Sequence, residues 1–336
     1  MKKSILCLMF LCLYSCKTKK VTTTIYSTIG YLEKNSPEFS KYVPEGVVIE
    51  IIASGHNWTE GPVWSSKEKC LIYSDVPKNI AYKWTEEAGA IPYLNPSGYS
   101  GEKPRKGGKG SNGLAIDYQN NLILCRSGDR EIAAMVASLG NPESNYKTIA
   151  SKYNGKRFNS PNDLVIDKKG NIYFTDPYFG LPKDKREELN ELGFQGVYKI
   201  DKEDNGVHLL TNDWSEPNGI GLSPNNKTLY ITNTRPAKLI AFDIVNEVDL
   251  RNQRVIFNAE TLVKSSISKQ GPDGIAINKD GVIFMAGPDG VLVITPEGKH
   301  LGTIRTNKRT SNCVFNEDET VLYITSDDMV LRVVLK

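Results

Sequence analysis

The chain has 336 residues, of which 24% are charged, 39% hydrophobic and 9% aromatic, with glycine and proline spread along its length. That composition excludes a disordered or collagen-like polymer and fits either two domains of about 150 residues or one large all-β domain. The net charge of +3 is concentrated in Lys2, Lys3, Lys17, Lys19 and Lys20; setting these five aside leaves the body at −2, which argues against a nucleic-acid-binding face.

In chain order, the first feature is a basic start (Lys2, Lys3), then an apolar run from Ile5 to Leu13, then Leu13-Tyr14-Ser15-Cys16. The run is too short to cross a bilayer core of about 30 Å as a helix, so it reads as an export signal. Its Leu-x-Ser-Cys ending resembles the lipobox of bacterial lipoproteins. The expectation is a signal over residues 1–15, a lipid anchor on Cys16, a tether over 16–43 and a folded body over 44–336. The protein would then sit at the cell envelope, on the periplasmic or outer-membrane face. Beyond residue 16 the cysteines are Cys70, Cys125 and Cys313, an odd number inside apolar stretches. They read as buried thiols rather than a disulfide framework or a zinc site.

The body repeats itself. Glu60-Gly61-Pro62-Val63, Asn112-Gly113-Leu114, Asn162-Asp163-Leu164, Asn218-Gly219-Ile220, Asp273-Gly274-Ile275 and Asn312-Cys313-Val314 each set a carboxylate or amide just before a short apolar run. In most copies a polar turn and a second apolar run follow, as in Lys168-Lys169-Gly170-Asn171 and then Ile172-Tyr173-Phe174. Strand, tight turn and strand is a hairpin pattern. The six positions lie 52, 50, 56, 55 and 39 residues apart. A period near 50 accommodates four short strands, one blade of a propeller, so the spacing predicts an all-β six-bladed β-propeller with a central metal site. Long helical periodicity is scarce; Lys183–Leu192 is the best candidate, read as a short insertion between strands. Val47–Ala53 and Val330–Leu335 are expected to pair and close the ring.

In such a fold, equivalent positions face the same end of the central channel. Glu60, Asn112, Asn162, Asn218, Asp273 and Asn312 would then bring two carboxylates and four amides to one axis. An all-oxygen set with two negative charges suits a hard dication, calcium ahead of magnesium, although another divalent metal would also fit. Zinc is disfavoured because no His or Cys occupies the ring. The same Asn-Gly and Asp-Gly pairs also form turns in their own right. Fourteen or fifteen residues further on, where the chain returns to the same end, stand Asp75, Arg126, Asp176, Asn233, Gly287 and Ser326 or Asp327. These are candidates for substrate contact and for supporting the metal site.

Trp58-Thr59-Glu60-Gly61-Pro62-Val63-Trp64, Gly155-Lys156-Arg157-Phe158-Asn159-Ser160-Pro161-Asn162-Asp163, Ile172-Tyr173-Phe174-Thr175-Asp176-Pro177, Pro217-Asn218-Gly219-Ile220 and Pro272-Asp273-Gly274-Ile275 stand in one order along residues 45–336. In this the chain resembles the gluconolactonase / senescence-marker-protein (regucalcin) family of calcium-dependent six-bladed propellers. The resemblance implies a divalent metal, usually calcium, held by Glu60, Asn162, Asn218 and Asp273, and hydrolysis of sugar-derived lactones. Asp273 is the first choice for the carboxylate that accepts a proton from water, and Asp176 the second. Asn112, Arg126, Asn312 and Asp75 would contact substrate. One departure is Arg126-Ser127-Gly128, where relatives often carry Glu or Gln followed by His-Gly. Another is the loop 101–110 with Lys103, Arg105, Lys106 and Lys109, which reads either as a basic lid favouring an anionic substrate or as a solvated loop.

Two other functions stay open: the same metal cup acting on a phosphoester or modified sugar, and a non-catalytic carbohydrate-binding propeller. Gly108-Lys109-Gly110-Ser111-Asn112-Gly113 fits a dinucleotide fingerprint but precedes a strand, outside any βαβ unit. A serine-hydrolase G-x-S-x-G motif does not occur.

Overall fold

The structure, a computed structural model, describes residues 25–246 and 248–336. The segment read as an export signal, and Cys16, lie outside the described residues. Among the described residues six antiparallel sheets of four or five strands follow one another along the chain, with a two-stranded hairpin, Lys152–Tyr153 and Lys156–Arg157, between the second and the third. Blade 1 comprises Thr59–Ser65, Cys70–Asp75, Ile80–Thr85 and Gly89–Leu94. Blade 2 comprises Leu114–Ile116, Leu122–Arg126, Glu131–Met135 and Tyr146–Ala150. Blade 3 runs through Leu164–Ile166, Ile172–Asp176, Gly196–Ile200 and Val207–Thr211. Blade 4 runs through Pro217–Leu222, Thr228–Asn233, Lys238–Val245 and Asp249–Asn258. Blade 5 contains Ile275–Ile277, Ile283–Gly287, Gly290–Ile294 and His300–Arg305. Blade 6 takes Thr310–Phe315, Val321–Ser326 and Met329–Val334 from the C-terminus and Ile49–Ala53 from the N-terminus.

The first strand of each blade is innermost. Thr59–Ser65 contacts Leu114–Ile116 on one side and Thr310–Phe315 on the other, and the remaining first strands complete the circle. The ring closes where Ile49–Ala53 pairs with Met329–Val334, as the terminal apolar segments predict. The short interval between the fifth and sixth repeats reflects tight turns within blade 5. The 183–192 segment is the expected insertion, a 3-10 turn at Lys183–Lys185 and one helical turn at Arg186–Leu189.

Six apolar clusters hold the molecule together, one between each pair of neighbouring blades. Side chains alternate along a strand. Leu71 and Tyr73 therefore pack toward blade 6, while Cys70 and Ile72 pack toward blade 2. This two-sided packing explains why Cys70–Asp75, Leu122–Arg126, Ile172–Asp176 and Ile283–Gly287 are buried at every position and read as nearly unbroken apolar runs. Cys70, Cys125 and Cys313 are free and buried in these interfaces, as expected.

One boundary needs correction. The span 16–43, read as a tether, contains ordered structure on the propeller. Tyr31–Lys34 pairs with His300–Arg305 as a fifth strand on the outer edge of blade 5. The helical turn Phe39–Tyr42 follows, with Phe39 only 2% exposed. Gly302 makes room for that ring: a Cβ there would stand 2.6 Å from Phe39 Cδ2. Covering an open edge and burying Phe39 and Val43 is the physical gain that a polar, Lys- and Ser-containing segment conceals.

Candidate functional site

The side chains at the top of the channel are placed by an interlocked backbone ring. Asn112 N donates to Cys125 O, Asn162 N to Thr175 O and Asp273 N to Ala286 O, so each residue is tied to the second strand of its own blade. Bulges between Glu60 and Val63 and between Pro217 and Ile220 re-aim the first strands of blades 1 and 4. The next residue is glycine in four copies because adjacent blades almost touch there. At Gly61, where φ is +48°, a Cβ would lie 2.0 Å from Asn112 O. Gly113 N donates across the gap to Asn162 O at 2.7 Å. Hydroxyls clasp the ring from outside. Ser74 donates to Asn112 O (2.9 Å), Thr175 to Asn218 O (2.6 Å) and Thr232 to Asp273 O (2.6 Å), each reaching from one blade to the next.

Glu60, Asn112, Asn162, Asn218 and Asp273 converge on one cavity of about 560 Å³, walled in part by Trp58 and Phe179. Trp58 Nε1 donates to Glu60 Oε1 (3.2 Å) and Gly61 N to Glu60 Oε2 (3.2 Å). Gln270 Nε2 donates to Asp273 Oδ2 at 2.9 Å and to Thr310 O at 2.9 Å, bridging blades 5 and 6. Asn218 Nδ2 donates to Thr234 Oγ1 at 3.1 Å, which leaves Asn218 Oδ1 buried with no hydrogen-bond partner.

The two carboxyls are in electrostatic tension. Burial first, then the charge of Asp273, pushes Glu60 well above the usual carboxylate range. Asp273 keeps some exposure to the cavity itself; burial pushes it up to about 8, against the Gln270 hydrogen bond, which favours ionisation. Two enclosed carboxylates beside an unpartnered amide oxygen match what a hard dication requires, namely negative charge and oxygen donors. No group of three or more His, Cys, Asp or Glu side chains among the described residues is placed to hold a metal. The fit here rests on two carboxylates supplemented by the amides of Asn162 and Asn218.

Several expected site residues lie elsewhere. Asn312 turns away from the cavity. Its Nδ2 donates to Asp163 Oδ2 at 3.3 Å, and both residues line the opposite opening of the channel. A bulge between Thr310 and Asn312 and the space beside Gly274 account for this: a Cβ at Gly274 would lie 2.0 Å from Asn312 Cγ. Asp75 is fully buried and accepts from Asn57 N (3.1 Å) and Trp58 N (3.4 Å). Asp176 likewise accepts from Asn159 N and Ser160 N, both at 2.7 Å. Asn233 catches Glu216 N at 2.8 Å, and Asp289 catches Ile267 N and Ser268 N. Three members of the second ring, Asp75, Asp176 and Asn233, therefore staple the loops leading to Glu60, Asn162 and Asn218; for Asp273 the staple is Asp289, two residues beyond the expected Gly287, and neither Asp75 nor Asp176 lines the cavity.

Arg126 is 4% exposed and also stands outside the cavity. It pairs with Asp129 at 2.7 Å and with Glu131, over the ring of Tyr146. In the loop 101–110, Arg105 donates to Gly128 O and Gly180 O, and Lys106 faces Asp184. From that loop only Gly108 reaches the cavity lining. The basic side chains at the mouth are instead Lys183, Arg235, Lys269 and Arg309. His56, whose place in a loop suggests the surface, is buried, with Tyr73 OH 2.9 Å from its Nε2. Gln270, the hydroxyl clasps and the cationic mouth are functional features that the sequence patterns do not point to directly. Only the clasps have a sequence signal, a Ser or Thr just before Asp75, Asp176 and Asn233.

Residues 58–328 match the family described as SMP-30/Gluconolactonase/LRE-like region, and the chain belongs to that family. It is 34% identical over 319 residues to a gluconolactonase of Zymomonas mobilis, covering 91% of this chain and 86% of that one. It is 27% identical over 290 residues to regucalcin of Gallus gallus, covering 83% and 87%. Among solved structures, a gluconolactonase from Xanthomonas campestris superposes with a TM-score of 0.78 at 24% identity over 94% of this chain and 99% of that one, a likeness of fold.

Proposed function

We propose that this chain is a lactonase that opens sugar-derived cyclic esters with the help of one divalent cation, calcium first, held by Glu60, Asn162, Asn218 and Asp273. The observation that carries this reading is the buried, unpartnered Asn218 Oδ1 beside two enclosed carboxylates, in a member of a family containing gluconolactonases. A cation bound there would supply Lewis acidity for an ester carbonyl and balance the two negative charges.

The chain's own groups do the rest. Asp273, fixed through one oxygen by Gln270, takes the proton from the water that attacks the ring carbonyl. Attack forms the new C–O bond, and collapse breaks the ring ester bond, leaving a hydroxy acid whose released proton is the measurable product. Asn112, on the cavity wall, offers an amide to the sugar hydroxyls. Trp58 and Phe179, on the cavity wall, offer apolar surface to the sugar ring. The cavity volume is in the range of small-molecule sites. The export signal and lipid anchor at residues 1–16 remain a separate proposal about where the activity is exercised.

The test is acid release from a panel of aldonolactones, before and after treatment with a chelator. We expect turnover that falls by about two orders of magnitude or more on chelation and returns with calcium. A chelated protein as active as the untreated one, or no turnover of any lactone, contradicts the proposal.

A further inference from the structure

The charge at the mouth of the cavity is opposite to that at its floor. Among the described residues, Glu60 and Asp273 are the only acidic ones that line it, whereas Lys183, Arg235, Lys269 and Arg309 surround the opening. Arg235 is held by Glu216 at 2.7 Å, and Lys269 Nζ donates to Lys264 O at 2.6 Å. Lys183 and Arg309 pair with no carboxylate among the described residues. Asp184, beside Lys183 in sequence, turns to Lys106 instead, so it does not neutralise its neighbour.

The backbones that carry these two cations are fixed. Ser326 Oγ donates to Arg309 O at 2.8 Å, and Thr310 N is held by Gln270 Oε1 at 2.8 Å. Lys183 follows the buried Leu181, and Lys185 N donates to Pro182 O at 3.0 Å. Lys183 belongs to the insertion of blade 3 and Arg309 to the loop entering blade 6, blades that stand across the ring from one another.

Clustered like charges repel, and a neutral sugar ring gains little from them. Once a dication balances Glu60 and Asp273, a ligand meets a net positive opening. We propose that the physiological lactone is anionic. Its ring would sit on the cavity floor, and an exocyclic carboxylate or phosphate would be held at the mouth by Lys183 and Arg309. This inference rests on the lactonase reading and names the substrate class within it. The two anions share one chemistry, charge-assisted hydrogen bonding to ammonium and guanidinium groups.

The experiment compares kcat/KM, in calcium and at low ionic strength, for three lactones: gluconolactone, the monolactone of glucaric acid and phosphorylated gluconolactone. We expect at least one anionic lactone to be preferred by about tenfold over the neutral one, with the preference eroding at about 0.5 M salt. Whether the carboxylate or the phosphate leads identifies the group. In the Lys183→Gln/Arg309→Gln double variant the anionic-to-neutral ratio should fall at least fivefold. A neutral lactone preferred by the native protein, or a preference that survives in the variant, overturns the inference.

A second readout needs no turnover: calorimetric binding of open-chain glucarate to the calcium-loaded protein. It should weaken about tenfold in the double variant. Equal glucarate affinity in both proteins overturns the anionic-substrate inference even if lactones are hydrolysed. Absence of all lactone turnover, with the glucarate difference intact, sinks the lactonase reading and leaves the anion site standing.

Discussion

Replacing Asp273 with asparagine is expected to lower lactone turnover by about a thousandfold or more without lowering the melting temperature of the cation-free protein. The substitution keeps the shape and an oxygen that can accept the Gln270 hydrogen bond. It removes the group proposed to take a proton from water, a role worth about 10²–10⁴ in rate, together with one of two charges proposed to hold the cation. Because Glu60 and Asp273 oppose each other's ionisation inside the cavity, the cation-free fold loses nothing it needs. Asp176→Asn should behave in the opposite way. Its two oxygens hold Asn159 N and Ser160 N, so the loss appears as about 1–3 kcal/mol of stability, and turnover follows only as far as the loop loosens. Steady-state kinetics and thermal unfolding of the two variants separate the roles. Full activity in Asp273→Asn removes that residue from the chemistry.

Ending the chain at Asp328 is expected to abolish cooperative unfolding altogether. The lost strand, Met329–Val334, is paired on one side with Val321–Ser326 and on the other with the N-terminal Ile49–Ala53. Leu331 and Val333 fill the interface with blade 5, and Val330 fills the interface with blade 1. Removal therefore opens two of the six interfaces, takes from Ile49–Ala53 the strand that joins it to blade 6 and exposes strand edges. The milder Leu331→Ala should cost about 2–5 kcal/mol. Calorimetry checks both, and a truncated chain that melts like the native one would show that ring closure is not needed for stability.

The architecture was legible because four of the six blades make the same demand on their inner strand. A polar side chain must point at the axis, a glycine must let the next blade approach, and an apolar run must face two interfaces; Glu60-Gly61, Asn112-Gly113, Asn218-Gly219 and Asp273-Gly274 meet all three. Counting residues also returned the chain correctly to the upper end of the channel at Asp75 and Asp176. Counting could not say which way those side chains turn. Alternation along the strand held the answer: Ser74 and Thr175 reach the neighbouring ring carbonyls, so Asp75 and Asp176 turn the other way and catch their own approach loops. Gln270, Lys183 and Arg309 were invisible for a different reason. They sit in loops without periodicity, and only the closed ring brings these loops together. Tyr31–Lys34 was missed because a four-residue edge strand carrying a Glu and a Lys looks like linker.

The central claim is that Glu60, Asn162, Asn218 and Asp273 together hold one dication, and calorimetric titration of chelator-treated protein with calcium tests it most directly. The account predicts one bound ion per chain, with binding abolished by Glu60→Gln and by Asp273→Asn in proteins that remain folded. Calcium that fails to bind, or that binds both variants as tightly as the native chain, would contradict it.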